Sequence, residues 1–310
     1  MHFLHDIALA IALYATLINA GPAKILIFSA TAGFRHDMIP TAIGVLKEKG
    51  PSINVDFDST EDASMFTDDN LKKYDALLFL ATTGDVLPND KSFQRYLNAG
   101  GNFIGVHSAS DALRNSKTYA NEIGSLFYNH PILQTFVVDV LESTHPSVAG
   151  LPSPWPVQDE PYNFVSDPRS LGAKVVLVAD ESTYVDNNKS TTQGTPHPLA
   201  WYQEKGAGVQ SGGVAGRSFY TSLGHLNESW NDKLFQKHIL GAITWTLQSN
   251  TTKVSNASAS VGNGSPLSPS TTAKGPVQSN APSSGSKLES TLTSMLLIIF
   301  FTFISTSAYS

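Results

Sequence analysis

Between residues 24 and 107 short apolar runs alternate with amphipathic stretches, and this alternation restricts the fold more than any other property of the chain. Lys24-Ile25-Leu26-Ile27-Phe28-Ser29 is the kind of run expected of a strand buried on both faces. Residues 40–49 follow with helical spacing at Ile43 and Leu46 and a terminal Gly50, and Val55-Asp56-Phe57 closes a strand–helix–strand unit. The pattern then repeats, with a strand at 76–80, a helix at 92–99 ended by Gly100-Gly101, and a strand at 102–107. Alternation of this kind predicts a single α/β domain over residues 24–247 built on a doubly wound, mostly parallel sheet. Later strands are expected at 135–141, 175–179, 199–202 and 218–222. A closing amphipathic helix over 232–246 carries Leu234, Ile239, Ile243 and Trp245.

Both ends read as processing signals. The chain is almost wholly apolar from Ile7 to Ile18, and Ala20 before Gly21 supplies the small residue that signal peptidase requires, so residues 1–20 are expected to be a secretory signal peptide. At the other end, residues 295–304 are an apolar run with no basic residue after it. Ser283 and Ser284 precede that run across a polar spacer of about 8–10 residues, the layout of a GPI-attachment signal over 288–310. A single C-terminal membrane anchor needs about 20 apolar residues and is the alternative, as is plain secretion. Residues 248–287 hold Ser, Thr, Asn, Gly and Pro with scarcely a large apolar side chain, so ordering them would cost entropy that no burial offsets. A disordered, glycosylated stalk is expected there, with sequons at Asn250, Asn256 and Asn263. Asn188 and Asn227 carry sequons within the domain. The expected location is the cell surface, membrane contact being through the lipid anchor alone.

Composition removes several functions. The net charge of -6 and the lack of a Lys/Arg cluster argue against nucleic acid, because phosphate binding needs a concentrated basic face. There is no cysteine, which excludes disulfides, thiolate metal sites and Cys nucleophiles together.

In wound sheets ligands bind beyond the carboxyl ends of the strands, and that rule selects the candidate residues. After the first strand come Arg35, His36 and Asp37, a cation, an imidazole and a carboxylate; helix capping by Asp37 is the alternative. Thr83 and Asp85 follow the third strand. His107 follows the fourth, where a strand-to-helix elbow would present a nucleophile; imidazole there serves as base, donor or metal ligand, or simply caps a turn. Ser108 beside it lacks a G-x-S-x-G frame. His145, Glu160 with Tyr162 and Asn163, His197 and His225 stand at further segment edges. A divalent metal such as zinc has only a weak signal, since no H-E-x-x-H spacing is present. The glycine-rich segment 205–216 lacks a Gly-Lys-Ser/Thr ending and reads as a long hairpin loop rather than a phosphate cradle.

Taken together, Gly33-Phe34-Arg35-His36-Asp37, Thr60-Glu61-Asp62, 79–85, Gly105-Val106-His107, Thr144-His145-Pro146, Asp159-Glu160-Pro161-Tyr162-Asn163 and 220–225 resemble the ThuA-like (trehalose utilisation) family. The resemblance implies a class I glutamine-amidotransferase-like, flavodoxin-like fold and a role in sugar or glycoside metabolism. Amidotransferases of that fold use a Cys at the elbow where this chain has His107, so Cys-dependent glutamine hydrolysis is excluded. Pro161 replaces the aromatic the family usually has beside the acidic pair.

The expected function is an extracellular protein acting on a small sugar or glycoside, with a hydrolase-like or lyase-like activity as the enzymatic reading. His107, His145, Glu160 and His225 are its catalytic candidates. Arg35, His36, Asp37, Thr83, Asp85, Tyr162 and Asn163 are its binding candidates. A non-catalytic carbohydrate-binding surface protein is the alternative.

Overall fold

Nine strands hydrogen-bond into one mixed sheet, in the order β2-β1-β3-β5-β13-β12-β11-β8-β9, in a computed structural model that describes residues 21–252. The strands concerned are β1 (Ala23–Phe28), β2 (Val55–Thr60), β3 (Ala76–Leu80), β5 (Asn102–Val106), β8 (Gln134–Val140), β9 (Trp155–Asp159), β11 (Lys174–Ala179), β12 (Pro198–Gln203) and β13 (Ser218–Thr221). Short pairs are added by β4 (Thr83–Gly84) with β6 (Asp111–Ala112) and by β7 (Phe127–Asn129) with β10 (Asn163–Phe164). All described residues fall in one compact unit.

The predicted α/β architecture holds, and the sheet is parallel from β2 through β13. Beyond β13 every pairing is antiparallel. The reason lies in the connections. Parallel neighbours need a crossover, usually helical, whereas segment 204–217 turns straight back and joins β12 to β13 as the hairpin its glycines suggested. Because the antiparallel steps alternate, β9 and β11 again run in the direction of β5 and β13. The carboxyl ends of β1, β5, β9 and β13 therefore share one edge of the sheet.

Helices cover both faces. On one side lie α1 (Ile39–Lys49) and the last helix, α6 (Lys233–Leu247), which pack Ile39, Ala42, Leu46, Phe235, Ile239 and Ile243 onto the Ile25 and Ile27 face of β1. Pro40 occupies the first turn of α1, where its missing N–H costs nothing, and Asp232 caps α6 by accepting from the amides of Leu234 and Phe235 at 2.8 and 2.9 Å. On the other side are α2 (Asp68–Leu71), α3 (Lys91–Asn98) and α4 (Lys117–Ile123). The ring of Phe79 there meets Phe93, Phe103 and Tyr119 at centroid distances of 5.6, 5.4 and 5.4 Å, which fastens α3 and α4 to β3 and β5. A short α5 (Asn227–Asn231) precedes α6.

Neither α4 nor β9 was foreseen. The first is brief and marked chiefly by its Ser116 cap; the second carries Pro156 on the edge of the sheet, where a missing N–H is tolerated. Residues 249–252 continue past α6 as a turn, and Thr252 accepts a hydrogen bond from the Asn102 amide at 3.2 Å, so the start of the expected stalk is packed on the domain. The expected signal peptide (1–20), most of the stalk including Asn256 and Asn263, Ser283, Ser284 and the C-terminal apolar run lie outside the described residues. Among the described residues no helix is long and apolar enough to cross a membrane.

Candidate functional site

The loops leaving β1, β3 and β5 are tied together before any functional side chain is placed. Thr31 bridges Thr83, and β4 pairs with β6 in parallel at Thr83 and Asp111. The Thr83 hydroxyl accepts from the Gly33 amide at 3.2 Å and donates to the Phe34 carbonyl at 2.8 Å. That double contact fixes the loop so that Phe34 and Arg35 face solvent while His36 is buried.

His107 follows β5 at a backbone φ of 56°, a conformation costly for a residue with a Cβ, of order 1–3 kcal/mol, and typical of sites where function keeps it. Neighbouring groups hold it there. Val106 is paired with Thr221, so His107 and Ser222 leave adjacent strands at the same level. The Nδ1 of His107 lies 2.7 Å from the Ser222 carbonyl, and the Tyr220 hydroxyl donates to the His107 carbonyl at 2.8 Å. A carbonyl only accepts, so Nδ1 carries the proton and the neutral ring turns the lone pair of Nε2 toward the other side.

Four groups meet that lone pair. His36 Nε2 and the Tyr162 hydroxyl are each 3.0 Å from His107 Nε2, and His225 Nδ1 is 3.3 Å away. Glu160 Oε2 lies 3.1 Å from His225 Nδ1 and 4.0 Å from His107 Nε2. His130 stacks on Tyr162 and reaches Glu160 Oε1 at 3.5 Å. His107 is wholly buried, His36 and Glu160 nearly so, and His225 is partly open, so the cluster is reached from the side of His225 and the half-exposed His130.

Protonation follows from these surroundings. Burial, reinforced by the His225 charge, lowers His36 to about 4. Burial and His36 hold His107 well below the ordinary imidazole range. His225 goes the other way, raised first by its hydrogen bond to Glu160. Burial alone would raise Glu160, but the hydrogen bond and charge of His225, with His130 and His36, outweigh it and keep the carboxylate ionised. Burial and Glu160 keep Tyr162 protonated. Two neutral imidazoles thus stand beside a His225–Glu160 ion pair and a phenol donor.

Two buried groups hold the cluster in place. Asp159 accepts from the amide of Glu160 at 2.8 Å through Oδ1, and from those of Gly224 and His225 at 2.7 and 3.4 Å through Oδ2. Burial pushes its carboxyl up to about 6 against the pull of the Gly224 and Glu160 amides. His197 donates from Nε2 to the Tyr162 carbonyl at 2.8 Å and meets the Tyr184 hydroxyl at 2.9 Å with Nδ1.

Of the four residues expected to carry catalysis, His107, Glu160 and His225 are brought together and His145 is not. The His145 ring stacks on Tyr202 at 4.3 Å, lies 4.9 Å from Trp245 and bonds Ser147 through Nδ1, in the layer under α6. A His at a segment edge is recruited by that aromatic layer as readily as by a site, and spacing alone does not separate the two.

Among the expected binding residues, His36 and Tyr162 belong to the cluster itself. Thr83 and Asn163 lie outside the cluster, in contacts that support the loops around it. Thr83 pins the β1 loop, and Asn163 spends its amide on Asn129, Asp186, Ser190 and Gln193. Arg35 pairs with Glu61 at 2.8 Å on the surface. Asp37 and Asp85 are exposed, Asp37 close enough for its charge to act on His36 and His225. Sequence reasoning missed His130 and gave Asp159 no role; a His before Pro131 and the acid beside Glu160 were the available signals.

Three imidazoles and a carboxylate whose ligand atoms all lie within 4.8 Å of one another could hold a divalent ion. The same groups could exchange protons with a bound substrate.

A mostly parallel wound sheet with a His/Glu cluster at its carboxyl edge and His107 directly after β5 defines an α/β protein with a candidate site beyond its strand ends. Residues 24–246 match the family described as ThuA, trehalose utilisation, and the chain belongs to that family. Its fold is similar to that of a ThuA-like protein from Bacteroides uniformis ATCC 8492, at TM-score 0.56 and 21% identity, covering 76% of this chain and 96% of that one. It is also similar to a ThuA-like protein from Parabacteroides merdae ATCC 43184, at TM-score 0.56 and 19% identity, with 73% and 90% covered. No curated protein matches the chain.

Proposed function

We propose that this protein is an enzyme acting on a sugar or glycoside through the cluster at the carboxyl edge of the sheet. The observation that carries the reading is the convergence of His36, Glu160, Tyr162 and His225, from three separate loops, on the ring of a strained His107. A fold gains nothing in stability from gathering buried imidazoles around one lone pair, so the arrangement serves chemistry. The ion pair supplies a carboxylate and an acid, and Tyr162 supplies a neutral donor, the set needed to move protons between sugar hydroxyls. The family's description as trehalose utilisation supports a sugar as the substrate.

The test is to assay the purified chain on a panel of disaccharides, glycosides and their oxidised derivatives, with and without divalent metal. Turnover that falls by at least about a hundredfold in His107→Ala is expected, the scale of general acid–base contributions. Sugar binding without turnover, unchanged in that variant, would establish the carbohydrate-binding alternative instead.

We further propose export and a lipid anchor, supported by the apolar stretches at the two ends and by sequons on exposed residues such as Asn188 and Asn250. Release from intact cells by phosphatidylinositol-specific phospholipase C is the expected result; retention in the membrane fraction would indicate a spanning anchor.

A further inference from the structure

We propose that His36, His107, His225 and Glu160 form a mononuclear centre for a first-row divalent metal ion, with Tyr162 standing beside it. With its proton on Nδ1, His107 has one lone pair to offer, on Nε2. Three polar atoms surround it within 3.3 Å, namely His36 Nε2, the Tyr162 hydroxyl and His225 Nδ1. One lone pair accepts one linear hydrogen bond, so hydrogen bonding satisfies one of these contacts and leaves at least one nitrogen facing nitrogen. A cation among them uses every lone pair at once, the proton on His225 Nδ1 leaving as the ion binds.

The spacing fits such an ion. Metal–nitrogen bonds of about 2.0–2.1 Å place ligand atoms about 2.9 Å apart at a right angle and about 3.3 Å apart at the tetrahedral angle. His36 to His107 is 3.0 Å, His107 to His225 is 3.3 Å and His225 to Glu160 is 3.1 Å, while His107 to Glu160 opens to 4.0 Å. All four ligand atoms lie within 4.8 Å of one another, and any pair wider than about 4.2 Å must close when one ion binds.

The supporting shell is that of a metal site. Ligating imidazoles characteristically donate their other N–H to a carbonyl or carboxylate, as His107 does to Ser222 at 2.7 Å. Asp159 fixes the backbone of both Glu160 and His225, two ligands that are far apart in sequence. Three nitrogen donors exclude Mg²⁺ and Ca²⁺, which take oxygen, and suit Zn²⁺, Co²⁺, Ni²⁺, Fe²⁺ or Mn²⁺. An ion of five or six coordination would keep positions on the side of the partly open His225 for sugar oxygens, a detail that rests on the function proposed above.

The experiment strips the purified full chain with a chelator and titrates it with Co²⁺, following calorimetry and the visible cobalt bands, with Zn²⁺ added in competition. One ion per chain is expected, displaced by Zn²⁺, with a thermal midpoint that rises with ion concentration. Glu160→Gln, nearly isosteric and read only where circular dichroism shows a folded chain, and His225→Asn should each weaken binding at least about tenfold and alter the cobalt bands. A folded chain that shows no saturable Co²⁺ or Zn²⁺ binding, or equal affinity in both variants, overturns the centre. The titration contains no sugar, so ion binding without turnover leaves the centre standing and defeats the enzyme reading alone. Turnover by a chain that binds no ion defeats the centre alone.

Discussion

His107 and Ser222 leave neighbouring parallel strands side by side, and the 2.7 Å hydrogen bond from the His107 ring to the Ser222 carbonyl decides which nitrogen faces the cluster. The strand register is therefore part of the site's chemistry. Any change that shifts β13 against β5 turns the wrong nitrogen, or none, toward His36 and Glu160.

Asp159→Asn should weaken both stability and the site. An amide in place of either oxygen points N–H at a backbone N–H, breaking the grip on Glu160 or on Gly224 and His225. Leaving a buried partner unsatisfied costs about 1–3 kcal/mol. The expected thermal midpoint falls by roughly 2–4 °C per kcal/mol for a domain of this size. Turnover and Co²⁺ affinity should fall with it. An unchanged melting curve would show that Asp159 does not hold these segments.

Glu122 gives a pH dependence remote from the cluster. It is buried in α4, one oxygen accepts from the Gly208 amide at 3.0 Å, and the other has no hydrogen-bond partner among the described residues. Burial raises its carboxyl from 4.5 to about 8. The folded state thus holds a proton that the unfolded state releases, so this group makes stability fall as pH rises from about 4.5 to about 8. Below that window the carboxyl is neutral in both states and costs nothing. The slope is at most about 1.4 kcal/mol per pH unit. Glu122→Gln should remove it, so denaturant midpoints of the two chains converge at pH 4.5 and separate at pH 8 in favour of the variant. Parallel curves would refute the assignment.

A pair of glycine substitutions should act in opposite directions. A Cβ at Gly241 in α6 would stand 2.2 Å from the Pro146 carbonyl oxygen, whereas one at Gly44 in α1 meets nothing within 4 Å. Alanine favours a helix by roughly 1 kcal/mol over glycine, which Gly44→Ala should realise as a higher thermal midpoint. At Gly241 the clash outweighs that gain, with a net loss of about 1–3 kcal/mol. Calorimetric scans of both variants check the signs.

His145→Phe should leave turnover and metal affinity unchanged. The ring would keep its stack on Tyr202 and lose only its contacts with the hydroxyl and amide of Ser147. Stability should move by about 1 kcal/mol. A loss of activity with an intact fold would restore His145 to the site.

The strands at 76–80 and 102–106 and the closing helix were legible because burial on both faces, or on one helical stripe, writes its period into local sequence. His107, Glu160 and His225 were legible as residues at the carboxyl ends of predicted strands or beside recognisable motifs. The antiparallel direction of β8, β11 and β12 was not, since a strand's local pattern does not record which way it runs, and β9, with Pro156 and Gln158 among its five residues, carries no apolar run to mark it.

By itself the sequence determined the α/β class, the absence of any thiol chemistry and the short set of polar residues from which a site could be built. Only the tertiary structure decided that His36 joins that site as a core member, that His145 leaves it for an aromatic layer, and that Asp159 holds Glu160 and His225. The division is physical. Periodicity and composition act over neighbouring residues, whereas the meeting of His36, His107, Glu160 and His225 depends on strand order and register, which no local stretch of chain encodes.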